Sequence, residues 1–180
     1  MPPVNGEALR ALMRRVASPV TVVTAADGET ARGVTIGSFT SVSLDPPLVS
    51  FNLMQEGSMA PVLRETAEFA VHVLSDEQAH LSNHFAVPDQ SPDAQWAEVD
   101  HTTTAAGTPL LPDVVGTLLC RPFAMHEVGD HFLVVGEVVD VLQEGDVGPL
   151  LYHGRTYHAL GDEVSALSLL NAASTESGSP

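Results

Sequence analysis

The sequence predicts a mainly β fold, a closed antiparallel barrel carrying a few peripheral helices. Three observations predict it. Short β-branched runs recur between turn-forming residues, the pattern of strands joined as hairpins. The helical stretches are too few and too irregularly placed for alternating βαβ units. A 44% hydrophobic content over 180 residues supports one substantial core, and closing the sheet removes its exposed edges.

An amphipathic helix opens the chain. Leu9, Leu12, Met13 and Val16 recur at helical spacing, Asn5 is placed to cap the start, and Ser18-Pro19 stops it. Residues 20–24 are β-branched, Ala26-Asp27-Gly28-Glu29 reads as a turn, and 30–36 continue extended, which makes a hairpin. Residues 37–44 are a Ser/Thr-rich stretch broken by Asp45-Pro46-Pro47, and 48–53 form the next strand. Ser58 has the chemistry of an N-cap for a short helix through Met59 and Leu63 to about Thr66. A strand at 69–74 follows, then a Ser75/Gln78 capping box for a helix reaching about Phe85. Residues 88–107 read as a long ordered loop anchored by Trp96 and Val99. Two strands, 115–127 and 131–143, flank the turn Val128-Gly129-Asp130, and 149–160 supply a last strand. A single domain is expected over 1–165, with a polar, frayed tail at 166–180.

Charge and cysteine content exclude several classes. Twenty-three acidic residues face seven basic ones, all arginine, for a formal charge of −16. Such a field opposes binding to nucleic acid and to anionic bilayers, so neither partner is expected. An anionic ligand would need the few arginines gathered around it. The single cysteine, Cys120, excludes an internal disulfide framework, and its apolar strand predicts an inert buried thiol. No transmembrane-length apolar run and no secretory signal are read, so the cytoplasm is the expected compartment.

The common chemical motifs are missing: no G-x-G-x-x-G after a strand, no P-loop, no G-x-S-x-G elbow, no H-E-x-x-H. His80 and His84 are four apart on a predicted helix, but no third ligand accompanies them and no metal is expected. The informative segment is 33–58, GVTIGSFTSVSLDPPLVSFNLMQEGS. It sets the hydroxyls of Thr35, Ser38, Thr40, Ser41 and Ser43 and two glycines between strands. That is the material of a loop facing a polar, planar or anionic ligand. It is equally the material of a hydroxyl-rich strand connection.

The run GVTIGSFTSVSLDPPLVSF resembles the signature of the short-chain flavin reductases, the small components of two-component flavin-dependent monooxygenases. SPVTVVT, SMAPVLRETAEFAVHVL, GDHFLVVGEV and PLLYHGRTYHAL resemble the same family in the same order, so the likeness spans about 9–160. It implies a flavin-binding split β-barrel, usually homodimeric, that transfers hydride from NADH or NADPH to FMN or FAD and hands reduced flavin to an oxygenase. NADH is favoured, because no added basic feature is present to read a 2′-phosphate.

The resemblance also implies a site. Arg32, Gly33, Val34, Thr35, Ile36, Gly37, Ser38 and Phe39 would run along the flavin, with Thr35 and Ser38 bonding its polar edge and Arg32 meeting phosphate. Asn52, Leu53 and Met54 would line the other side. Ser58 and Met59 would stand where the flavin phosphate meets a helix start, and Phe85 would close the pocket. His131, after the Gly129-Asp130 turn, would face the nicotinamide as an orienting donor or else hold its own turn by a hydrogen bond. Tyr152, His153, Gly154, Arg155 and Tyr157 would meet the dinucleotide, Arg155 through pyrophosphate and Tyr157 by stacking. Glu56 departs from this pattern by putting an acid where phosphate would pass. Two rival readings share the fold: an FMN-bound split-barrel oxidase, and a flavin-binding or redox-sensing protein without turnover.

Overall fold

A computed structural model describes residues 4–28, 30–143 and 146–163. The polar tail expected at 166–180 lies outside them, as does Glu29 of the first turn. In chain order the elements are α1 (Gly6–Met13), β1 (Ser18–Pro19), β2 (Thr21–Ala26), β3 (Ala31–Ile36), β4 (Thr40–Leu44), β5 (Pro47–Met54), α2 (Met59–Glu65) and β6 (Phe69–Val73). There follow α3 (Ala79–Phe85), α4 (Pro92–Trp96), β7 (Thr102–Thr103), β8 (Pro109–Leu110), β9 (Gly116–Val128), β10 (His131–Gln143), β11 (Leu151–His153) and β12 (Thr156–His158).

The fold is mainly β with few helices. Its body is a seven-stranded antiparallel sheet in the order β3-β2-β6-β9-β10-β5-β4. Among the described residues no ladder joins β3 to β4, so the closed barrel expected from the sequence is not what the strand pairing describes. The sheet is nonetheless strongly curled. β3 and β4 are its two ends, yet only residues 37–39 separate them in the chain. Four residue steps reach at most about 14 Å. The ends of a flat sheet of this width would stand roughly 29 Å apart.

The core sits inside the curl. Val23 and Ala25 of β2, Ile36 of β3, Val49, Phe51 and Leu53 of β5, Phe69 and Val71 of β6, and Phe132 and Val134 of β10 form one cluster. Helix α2 adds Met59, Ala60, Val62 and Leu63, spaced to present a single stripe inward. Phe51 and Phe69 meet edge to face at 5.9 Å. The opposite face of β2 and β6 carries a second cluster, Val22 and Leu74 with Phe85, Leu111, Val114 and Leu150. β2, TVVTAA, is buried on both faces, and its two threonines are satisfied there by donating to the Ile36 and Pro109 carbonyls.

Several expectations are corrected. The Ser/Thr-rich stretch contains a strand, β4, because its backbone completes the ladder of β5. The 88–107 segment is not all loop: Ser91 caps α4 by accepting from the Ala94 N–H at 3.3 Å. Gln78 does reach back to the Ser75 N–H, at 3.1 Å, but this closes a turn ahead of α3, which starts at Ala79 with no side-chain cap. The last strand is two, β11 and β12, turned at Gly154 and Arg155, both with positive φ (60° and 71°). Asn5 caps α1 as expected, accepting from the Ala8 N–H at 2.8 Å. The apolar stripe of that helix finds no core: Leu9 and Leu12 stay 58% and 62% exposed.

Candidate functional site

A cleft of about 960 Å³ opens between β3 with its following loop, the β5–α2 connection, the start of β10, and the 85–90 segment. Most residues singled out from the sequence line it: Gly33, Val34, Thr35, Ile36, Gly37 and Ser38 on one wall, Asn52, Leu53, Met54, Ser58 and Met59 on another, with Phe85 and His131. Arg32, Phe39, Tyr152, His153, Gly154, Arg155 and Tyr157 do not line it.

The glycine wall has a steric origin. A Cβ on Gly33 would lie 2.5 Å from Cε1 of Phe85, closer than real Cβ contacts come. Phe85 is 2% exposed and is braced by Trp96, with ring centres 5.2 Å apart. The aromatic is therefore a fixed wall. Behind it, the Gln95 amide accepts from the Gly33 N–H at 3.0 Å and donates to the Gly33 carbonyl at 2.9 Å. Gln95 acts as a one-residue strand on the free edge of β3, and the Trp96 Nε1–H reaches the Ala31 carbonyl at 3.0 Å on the same edge. Sequence reasoning missed Gln95.

Hydrogen bonding divides the hydroxyls into committed and available. Thr35 Oγ1 donates to the Ser82 carbonyl at 2.7 Å, so its proton is held by α3 and not turned to a ligand. Ser38 Oγ accepts from the Asn52 N–H at 2.9 Å, which leaves its own O–H to donate. Ser58 sits at the start of α2 with helical φ and ψ (−62° and −16°) and makes no side-chain cap bond, so the simple N-cap expected there is not formed. Arg32 donates to the Gln90 carbonyl at 2.5 Å and ties down the 85–90 wall instead of facing the cleft. Phe39 packs against the inner core.

His131 opens β10, opposite Met54 across the ladder, so both stand on one lip of the cleft. Its Nδ1 meets Asp130 Oδ1 at 2.7 Å, which leaves Nε2 for other partners. That hydrogen bond holds the Asp130 carboxyl below the usual carboxylate range, with the nearby charges of His131 and Arg10 adding to it. The turn itself is clamped from outside. Gln55 Nε2 donates to the carbonyls of Gly129 (3.3 Å) and His131 (3.2 Å), and the Gln55 N–H reaches the Asp130 carbonyl at 3.3 Å. Gln55 is thus a second functional residue that sequence reasoning missed.

The remaining candidates lie elsewhere. The Tyr157 hydroxyl meets Ser82 Oγ at 2.9 Å and donates to Asn83 Oδ1 at 3.0 Å, so the ring is tied to α3, with Tyr152 5.2 Å away. His84 Nε2 bonds the Gln95 carbonyl at 2.8 Å, while His80 lines a separate acidic recess. Cys120 is buried, and burial pushes its thiol up to about 12, so it is inert. The cleft is lined by Glu56 and Asp89 and by no arginine.

The model of the family described as flavin reductase like domain matches residues 13–161. The chain is 36% identical over 154 residues to an FMN reductase (NADH), SmoA, of Agrobacterium fabrum, covering 85% of each chain. It is also 36% identical over 155 residues to the reductase component of 4-hydroxyphenylacetate 3-monooxygenase of Thermus thermophilus, covering 86% of this chain and 96% of that one. Among solved structures it matches the NADH:FAD oxidoreductase SgcE6 of Streptomyces globisporus, in complex with NAD and FAD fragments. There the TM-score is 0.81 at 32% identity, over 92% of this chain and 100% of that one.

Proposed function

The chain belongs to the flavin reductase like family, and from that premise we propose that it oxidises NADH and reduces free FMN or FAD for a partner monooxygenase. The observation that carries the reading is the cleft: a slot walled by Gly33–Phe85, with His131 on its lip and, inside, Ser38, whose O–H is left to donate, and Ser58, which makes no cap bond.

The residues fit a flavin. The ring is flat, and only a glycine at 33 leaves a flat wall beside Phe85. Its polar edge is rich in acceptors, and Ser38 retains a proton to donate. Reduction adds negative charge to that edge, so fixed donors there favour the reduced form. The bound reactants supply the chemistry, a hydride from the dihydronicotinamide to the flavin ring, balanced by a proton from water. The protein's part is alignment: Asp130 fixes the His131 ring, Gln55 fixes the turn that carries both, and Nε2 of His131 orients the nicotinamide. Ser58 holds the flavin's phosphate side.

Carboxylates and no arginine line the cleft, which supports loosely held flavin that leaves after reduction rather than a permanent prosthetic group. We read the sheet as a split barrel whose seam runs between β3 and β4, forming one domain over 1–165. Gln95 and Trp96 cover the β3 edge, but among the described residues no strand pairs with the outer edge of β4 and its Leu44 is 89% exposed, so we assign that edge to a second copy in a homodimer. We place the enzyme in the cytoplasm, where NADH is regenerated.

The test is NADH consumption by the purified protein with no flavin, FMN, FAD or riboflavin. Turnover that appears only with free flavin, and scales with it, upholds the reading. Flavin binding with no turnover on NADH or NADPH overturns it.

A further inference from the structure

Helix α3 is seven residues long and starts without a side-chain cap, yet it holds the Phe85 ring against Gly33, where a methyl group does not fit. A helix this short is not rigid by itself. Two other elements fix it. From β3, Thr35 Oγ1 donates to the Ser82 carbonyl at 2.7 Å. From β12, Tyr157 Oη lies 2.9 Å from Ser82 Oγ and donates to Asn83 Oδ1 at 3.0 Å. A phenol has one proton, and Asn83 takes it, so the Ser82 hydroxyl donates to Tyr157 Oη. Three directed bonds thus converge on adjacent residues of α3, and Phe85 stands one turn further along the same side as Ser82.

Both halves of Tyr157 serve this arrangement. Its ring packs on the apolar cluster that contains Phe85, and its oxygen holds the turn that carries Phe85. The residue does not line the cleft. Its own place is secured by pairing of β12 with β11 and of β11 with β1, and by the Gly154 N–H, which donates to the Arg14 carbonyl at 2.9 Å. Ser82 is buried, so water does not readily replace a partner lost there.

We propose that Tyr157 is a positioning residue: through Ser82 it sets where α3 holds Phe85, and so the width of the slot that takes the flavin ring. This rests on the flavin-reduction reading above and gives Tyr157 a task on the flavin side, where the resemblance implies stacking on the dinucleotide. The two roles use different atoms. Stacking needs the ring, which phenylalanine keeps, and the tie needs the oxygen, which phenylalanine lacks.

The test compares wild type with Y157F, S82A and Y157F/S82A. FMN affinity is read by fluorescence titration without NADH, and KM for FMN and for NADH by steady-state kinetics. The tie predicts that the FMN dissociation constant and KM for FMN rise about fivefold in Y157F and in S82A, the effect of one neutral hydrogen bond. It predicts kcat and KM for NADH within about twofold of wild type, and a double variant that matches Y157F because both changes remove the same bond. FMN affinity in Y157F within twofold of wild type overturns the proposal. A raised KM for NADH with unchanged FMN affinity also overturns it, since Tyr157 would then serve the dinucleotide. Losses that multiply in the double variant overturn it too, because the two residues would act separately. Equal rises in both KM values, in step with a lower Tm, would show a general loosening and likewise overturn it. If wild type binds FMN but oxidises neither NADH nor NADPH, the flavin-reduction reading fails by itself, and the titration still decides the tie.

Discussion

The Asp130 carboxylate lies 2.7 Å from Nδ1 of His131, at the tip of a turn that Gln55 clamps from the neighbouring strand. The acid faces solvent and the imidazole faces the cleft, so the pair works as a handle and a pointer. His131→Ala is expected to lower kcat with NADH by about tenfold or more, with flavin affinity within twofold of wild type. Asp130→Asn, which keeps the shape and loses the charge, should give a smaller loss. Steady-state kinetics beside flavin fluorescence titration checks both.

Gly33 and Phe85 exclude one another's growth. Gly33→Ala places a methyl group 2.5 Å from the Phe85 ring, and overpacking of this kind costs about 1–3 kcal/mol. Flavin binding should fall with stability, because the displaced atoms line the cleft. Phe85→Leu in the Gly33→Ala background should recover part of both, a coupling that a double-mutant cycle in urea would read.

Ser58 makes no cap bond, so its removal should leave the helix unharmed. Ser58→Ala is expected to raise the flavin dissociation constant about fivefold, the effect of one neutral hydrogen bond of ~1 kcal/mol, and to shift Tm little. A large Tm loss with unchanged flavin affinity would identify a purely structural hydroxyl.

His72 predicts how stability follows pH. It is fully buried, with Nε2 3.0 Å from Thr24 Oγ1 and Nδ1 2.9 Å from Thr117 Oγ1. Thr24 donates to the Pro109 carbonyl, so it accepts from Nε2–H, and the ring is neutral with its proton on that nitrogen. Burial lowers its pKa from 6.5 to about 4. Below 6.5 the unfolded chain takes up a proton that the folded one refuses. The stability is therefore complete above 6.5 and declines as the pH falls toward 4, by about 3 kcal/mol in all. Urea unfolding at pH 7 and at pH 4.5 should show the loss, and His72→Gln should flatten its slope.

Much of this was legible in the sequence because the signals were local. The β9–β10 hairpin announces itself by two long runs rich in apolar residues flanking the Val128-Gly129-Asp130 turn, and the glycine wall by the composition of residues 33–38. What stayed hidden depends on partners distant in the chain. Gln95 and Gln55 carry no periodicity, and each acts on backbone groups 62 and 76 residues away. Thr35 looked like a ligand donor because nothing near it in sequence reveals that Ser82 takes its proton. Arg32 looked like a phosphate contact until the Gln90 carbonyl took its guanidinium. The strands at 151–158 are only three residues each, too short to show a period that separates two strands from one.

The two ends of the curled sheet are linked by residues 37–39, and that link is also a wall of the cleft. A place to bind thus exists only once the most distant strands have been wrapped toward each other around the core. Flavin capture is for this reason a late reporter in refolding: secondary structure and partial collapse would precede it, and the ring would be gripped when the last turn of the sheet is drawn in. A backbone nick within those three residues would leave every ladder intact, yet it would release the strap that holds the slot to its width.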